Sequence, residues 1–224
     1  MTIAYSMVTM RLTNRSVRDI VMEHNSPNNG RQKFLEIAEM LFTEKGFNAV
    51  SIREIAECCE VTNAALYYHF PSKAALFEEV LEHHAKRLDV RMRAAGHEGE
   101  TYRDRVKAML LEYAKITKDR RPLFHLLRQE NDVIDKFTKI DYFRRIFHAM
   151  ILPIEELLFE AIRAEELKEL PEGISSAAVL VGMVNGQIQY SRVCGKDDLG
   201  SHQLDYIVDI FWKGLGTKNE VRSD

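Results

Sequence analysis

The stretch Val61-Thr62-Asn63-Ala64-Ala65-Leu66-Tyr67-Tyr68-His69-Phe70-Pro71-Ser72-Lys73 carries side chains suited to meeting nucleic acid. On a helix, Leu66 and Phe70 lie one turn apart on one face, and Asn63, Ala64 and Tyr67 then share the opposite one. Short side chains at its start let such a helix sink into a major groove about 12 Å wide, where Asn reads adenine and an aromatic or methyl group meets thymine. Thr62, Tyr68, His69 and Lys73 flank that face and can hold phosphates, which sets register without reading sequence. No acidic residue occurs from Val61 to Phe77. Screening confines charge effects to about 8–10 Å at ordinary salt, so this local absence outweighs the overall balance. The formal net charge of −3 would by itself advertise no such partner.

Other chemistry finds less support. Glu79, His83 and His84 could face a metal, but adjacent histidines point about 100° apart on a helix, so a solvated or packed role is the reading taken. Gly-x-Ser-x-Gly, Gly-x-Gly-x-x-Gly and His-Glu-x-x-His are absent, which argues against an enzyme, and no cofactor is expected. The three cysteines, Cys58, Cys59 and Cys194, lack metal-ligand spacing and fit a reducing cytoplasm. No apolar run approaches the roughly 20 residues of a membrane span, so no membrane partner is expected. Hydrophobic residues make up 46% of the 224, enough for a core without metal or disulfide support.

The elements that must position the candidate face are readable around it. Phe34, Ile37, Ala38, Leu41 and Phe42 recur at helical spacing from residue 31, and Gly46 marks the stop. Ser51 and Glu54 have the form of a capping box opening a second helix whose Ile52, Ile55 and Ala56 face inward. Thr62 can cap the third helix, and Pro71 ends it by disfavouring helical geometry at Phe70. Ser72 can cap a fourth, carrying Leu76, Phe77, Val80, Leu81, His84 and Leu88 until Gly96 and Gly99. Beyond Thr101 the pattern remains helical: one element with Val106, Met109, Leu110 and Tyr113, another after Pro122, and a long one over about 142–167 that Pro153 should kink or split. Two final helices, about 175–193 and 202–215, read as an antiparallel pair.

Residues 32–80, with Gly46-Phe47, Ser51-Ile52-Arg53-Glu54-Ile55-Ala56, Leu66-Tyr67-Tyr68-His69-Phe70 and Ser72-Lys73, resemble the DNA-binding domain of TetR/AcrR regulators. The resemblance implies an all-α fold of about nine helices, with an N-terminal helix-turn-helix and a larger ligand-binding and dimerisation domain. It also implies base reading by Asn63, Ala64 and Tyr67, a base or phosphate contact from Arg53, and phosphate contacts from Tyr68, His69 and Lys73; Ser51 joins this set at the start of the second helix. Glu60 departs from the family, which usually has glycine in that turn. The function implied is a homodimeric repressor of a palindromic operator in double-stranded DNA, released when a small, partly apolar effector binds and shifts the fourth helix.

The expected organisation is a flexible extension over residues 1–30, the DNA-binding domain over 31–77, a linking helix over 78–98, the effector and dimer domain over 99–218, and a tail over 219–224. Arg11, Arg15 and Arg18 could make the extension a phosphate-touching arm, with a solvated tail as the alternative preferred. Effector candidates are Met109, Tyr113, Phe124, His125, Phe147, Met150, Asn185 and Gln189, bulky or adaptable apolar groups with a few polar ones, each of which could equally be ordinary core. For the dimer, Ala178, Gly182 and Gly186 form a small-residue strip, and Leu204, Ile207, Val208, Phe211 and Leu215 an apolar face. The rival reading is a helical protein-interaction module that retains the helix-turn-helix without binding an operator.

Overall fold

The structure, a computed structural model, describes residues 30–118, 136–195 and 199–216, and among these every regular element is a helix. There are eight: α1 (Gly30–Lys45), α2 (Ile52–Cys59), α3 (Asn63–His69), α4 (Lys73–Ala95), α5 (Tyr102–Lys118), α6 (Lys136–Arg163), α7 (Ser176–Val193) and α8 (Ser201–Leu215). The extension before residue 30, the expected helix after Pro122, and the tail lie outside the described residues. No helix among the described residues is long and apolar enough to cross a membrane.

By its contacts the chain divides into two compact units, Met1–His84 with Arg121–Tyr142, and Ala85–Arg120 with Phe143–Asp224. The first is built around the apolar stripe of α1. Phe34, Ile37, Ala38, Leu41 and Phe42 are all buried, together with Ile55 and Ala56 of α2, Leu66 of α3, Phe70, and Leu76, Phe77 and Val80 of α4. Aromatic rings tie these helices together: Phe42 meets Phe77 edge-on at 5.3 Å, and Phe34 meets Phe70 at 6.3 Å. Such offset contacts suit the ring quadrupoles. Gly46 closes α1 with a φ of 88°, where a residue with a Cβ would be strained.

In the second unit α5, α7 and α8 pack on one another, and Val106, Leu110, Leu180, Val184, Leu204 and Val208 are fully buried. Ion pairs from Arg103 to Asp209 and from Lys107 to Asp205 fasten α5 to α8. The Glu155 carboxylate of α6 accepts from the Ser175 hydroxyl at 2.9 Å and the Ala177 N–H at 2.6 Å, capping the start of α7. Pro153 neither splits α6 nor ends it: the helix continues from Lys136 to Arg163. A proline removes one N–H from the ladder. Here buried Ile151, Ile154, Leu157 and Leu158 on either side hold the turn in place.

Candidate nucleic-acid interface

Each helix of the helix-turn-helix is fixed by a local device. Ser51 stands in extended geometry before α2, and its Oγ accepts from the Glu54 N–H at 3.1 Å. The other half of the expected capping box is not used, because the Glu54 carboxylate instead forms an ion pair with Lys45 at the end of α1. That pairing ties two helices, where a box would have tied one residue to its own helix. At the far end of α2, Glu60 adopts left-handed geometry (φ 60°, ψ 39°), and the Val61 N–H reaches the Ala56 carbonyl at 3.0 Å. The chain then reverses into Thr62, whose Oγ1 accepts from the Ala65 N–H at 3.2 Å and caps α3. The Phe70 N–H closes α3 on the Leu66 carbonyl at 3.0 Å, and Ser72 caps α4 through the Ala75 N–H at 3.1 Å.

With Leu66 and Phe70 fully buried, the outward face of α3 is set. Asn63, Ala64 and Tyr67 are exposed there as a group, Tyr68 is 87% exposed, and His69 is exposed beside it. The His69 ring lies between those of Phe34 at 5.4 Å and Tyr68 at 5.3 Å, which limits its rotation. Ser51 and Thr62 are exposed, their hydroxyls engaged as caps. Arg53 projects from α2 into solvent and pairs with Glu57 one turn on, Nε to Oε1 at 2.8 Å. That hydrogen bond and the Glu57 charge raise the guanidinium pKa.

Lys73, a candidate for holding a phosphate, is half-buried. Its Nζ sits 4.4 Å from the centre of the Phe47 ring and 3.5 Å from the Asn48 carbonyl. The lysine therefore also holds the loop before α2 against the start of α4, a role invisible in spacing because it joins residues 25 apart. Arg31 was not singled out by pattern for a similar reason. It lies over the Phe70 ring at 5.3 Å and pairs with Glu79, adding a cation near the end of α3. Glu79 is thus engaged, and His84 Nδ1 is hydrogen-bonded to the Tyr142 hydroxyl at 2.9 Å. Among the described residues, no group of three potential metal ligands stands together.

The effector candidates separate. Tyr113 and Asn185 come together: the phenol accepts from Asn185 Nδ2 at 2.9 Å and donates to its Oδ1 at 3.1 Å. Met109 and Met150 are buried, with Met109 also lining a crevice of about 140 Å³ beside Arg93 and Arg105. Phe147 is 57% exposed and Gln189 exposed, so neither faces the interior. Ile146 takes the inward position, and its neighbour Phe147 is turned about 100° away. Phe124 and His125 lie outside the described residues. Of the dimer candidates, Ala178, Gly182 and Gly186 are exposed, and a Cβ on either glycine would meet nothing within 4 Å. Leu204, Ile207, Val208 and Phe211 are instead buried in the chain's own core, with Leu215 half-buried. The apolar groups that α8 shows to solvent are Tyr206 and Ile210, both above 60% exposed.

Residues 34–80 match the model of the bacterial regulatory proteins of the tetR family. Among curated relatives, the nucleoid occlusion factor SlmA of Vibrio cholerae is 29% identical over 75% of this chain and 86% of its own length. The HTH-type transcriptional regulator AcrR of Shigella flexneri is 42% identical over 23% of this chain and 24% of its own length. In solved structures the fold recurs in a TetR-family transcriptional regulator of Mesorhizobium loti, at a TM-score of 0.69 and 16% identity, covering 84% of this chain and 98% of that one. The segment that folds into the capped, outward-facing α3 described above is thus similar to the DNA-binding part of tetR-family regulatory proteins, and the helical fold around it is the one found in solved TetR-family regulators.

Proposed function

We propose that the protein is a repressor that grips a palindromic operator as a homodimer, one α3 in each half-site, and releases it when a small molecule occupies the second unit. One observation carries this reading above the others: the whole outward face of a seven-residue helix is exposed while its other face is buried and both its ends are tied. A helix this short is unstable by itself, so its order comes from packing, and a pre-ordered reading face loses little entropy on binding. A single such helix meets few base pairs. Two related by a two-fold axis, about 34–36 Å apart, would read successive major grooves. The exposed strip Ala178, Gly182 and Gly186, with Tyr206 and Ile210 on α8, supports the pairing, since smooth glycine surfaces allow helices to approach closely.

The Tyr113–Asn185 pair supports the effector reading: a few oriented polar groups among apolar ones are what a small-molecule site contains. An effector that binds better to a state with poor operator affinity shifts the population toward release. Selection of bound fragments from genomic DNA tests the whole reading. A recovered site with two-fold symmetry and steep salt dependence is expected, and recovery of no preferred sequence would refute it.

A second reading draws on a specific observation: the relatives aligned over about three quarters of this chain are named for nucleoid occlusion rather than transcription. On that reading the protein would bind DNA to serve nucleoid occlusion rather than to control a gene. Occupancy spread along the chromosome, rather than gathered at a few promoters, would favour it.

A further inference from the structure

Exposed apolar side chains of the second unit converge on one place. Leu152, Phe159 and Ile174 are 41%, 53% and 50% exposed, and all three line a groove of about 450 Å³ between α6 and the connection leading into α7. That connection is shaped by a turn in which the Ile174 N–H bonds the Pro171 carbonyl at 3.1 Å, with Gly173 at a φ of 84° that suits glycine. Every charged side chain lining the groove is a carboxylate: Glu155, Glu156, Glu169 and Glu172. Glu155 is engaged at the cap of α7, and Glu156 pairs with Arg93 at 2.6 Å. Glu169 and Glu172 stand exposed at the rim.

An apolar floor favours a ligand with an apolar body, and the size lies within the roughly 300–1,000 Å³ usual for small-molecule sites. The carboxylates repel an anion and attract a cation, more strongly beside a low-dielectric floor than in open water. We propose that this groove binds a small organic cation with an apolar body, its charge held by Glu169 and Glu172 and its body resting on Phe159 and Leu152. Neither Tyr113 nor Asn185 lines the groove. Its test needs no DNA, so failure of operator binding would leave it standing.

Tetraphenylphosphonium is a suitable probe because tetraphenylborate has nearly the same shape with the opposite charge. Titration calorimetry on the full chain should show one phosphonium bound per chain and the borate at least about tenfold weaker. Glu169→Gln with Glu172→Gln should weaken the phosphonium by about fivefold, the reach of two exposed charges. Phe159→Ser should weaken it by about tenfold through lost apolar contact. All three positions are exposed, so the variants should melt like the parent. Equal affinity for the two ions, unchanged binding in both variants, or no phosphonium binding, as when a second copy of the chain covers the groove, would overturn the proposal.

Discussion

Glu60 holds a left-handed conformation that glycine adopts without strain, and it does so as the C-cap of α2 in the turn that leads to α3. Glu60→Gly should therefore stabilise the protein by about 1 kcal/mol in urea unfolding, offset in part by the extra freedom glycine has in the unfolded chain. Lys73 has two roles to separate. Its place over Phe47 predicts that Lys73→Ala lowers stability by about 0.5–1 kcal/mol as well as weakening DNA binding on all sequences. A pure phosphate contact would leave the unfolding midpoint unchanged. Cys59 offers a pH signature, since burial pushes its thiol up to about 12 against an ordinary value near 9. The neutral thiol is favoured in the folded state, so this contribution is complete below pH 9 and is lost as pH rises toward 12. At neutral pH a thiol reagent should modify exposed Cys194 well before buried Cys59, and Cys59 should react only as the protein unfolds.

At the scale of elements, the caps were legible because they are local: Ser51, Thr62 and Ser72 each act on an N–H three residues away. Thr62→Ala should cost about 1 kcal/mol of stability and Thr62→Ser should recover most of it, measured by thermal unfolding. What spacing could not convey was the partner of a group that reaches across the fold. Glu54 turned to Lys45, and Lys73 to Phe47, through contacts that only packing creates. The same limit explains α8. Apolar periodicity identifies which side of a helix leaves water, and Leu204, Ile207, Val208 and Phe211 do leave it, buried within the chain's own core, but periodicity does not say what covers them. Phe147, an effector candidate by residue type, stands a step of about 100° from buried Ile146 and is turned to solvent. Between α5 and α8, the Arg103 guanidinium holds the Asp209 carboxyl below the usual carboxylate range. That contribution is present at neutral pH and disappears as acid protonates Asp209, so Asp209→Asn should lower the melting temperature at pH 7 and matter less at pH 3.

For the whole molecule, the central claim is that α3 reads bases and that two copies do so together. Gly186 is exposed with open space around it, so Gly186→Arg should leave the protomer folded while blocking close helix approach. A monomer by sedimentation and loss of most operator affinity are the expected results. The most direct measurement is fluorescence anisotropy of the operator recovered by genomic selection, titrated with the parent protein, Asn63→Ala and Tyr67→Ala, against both the true site and a scrambled duplex. The account predicts that each variant loses about 1–3 kcal/mol on the true site and almost nothing on the scrambled one, with the salt dependence unchanged. Variants that bind the true site as tightly as the parent, or that weaken equally on both duplexes, would contradict it.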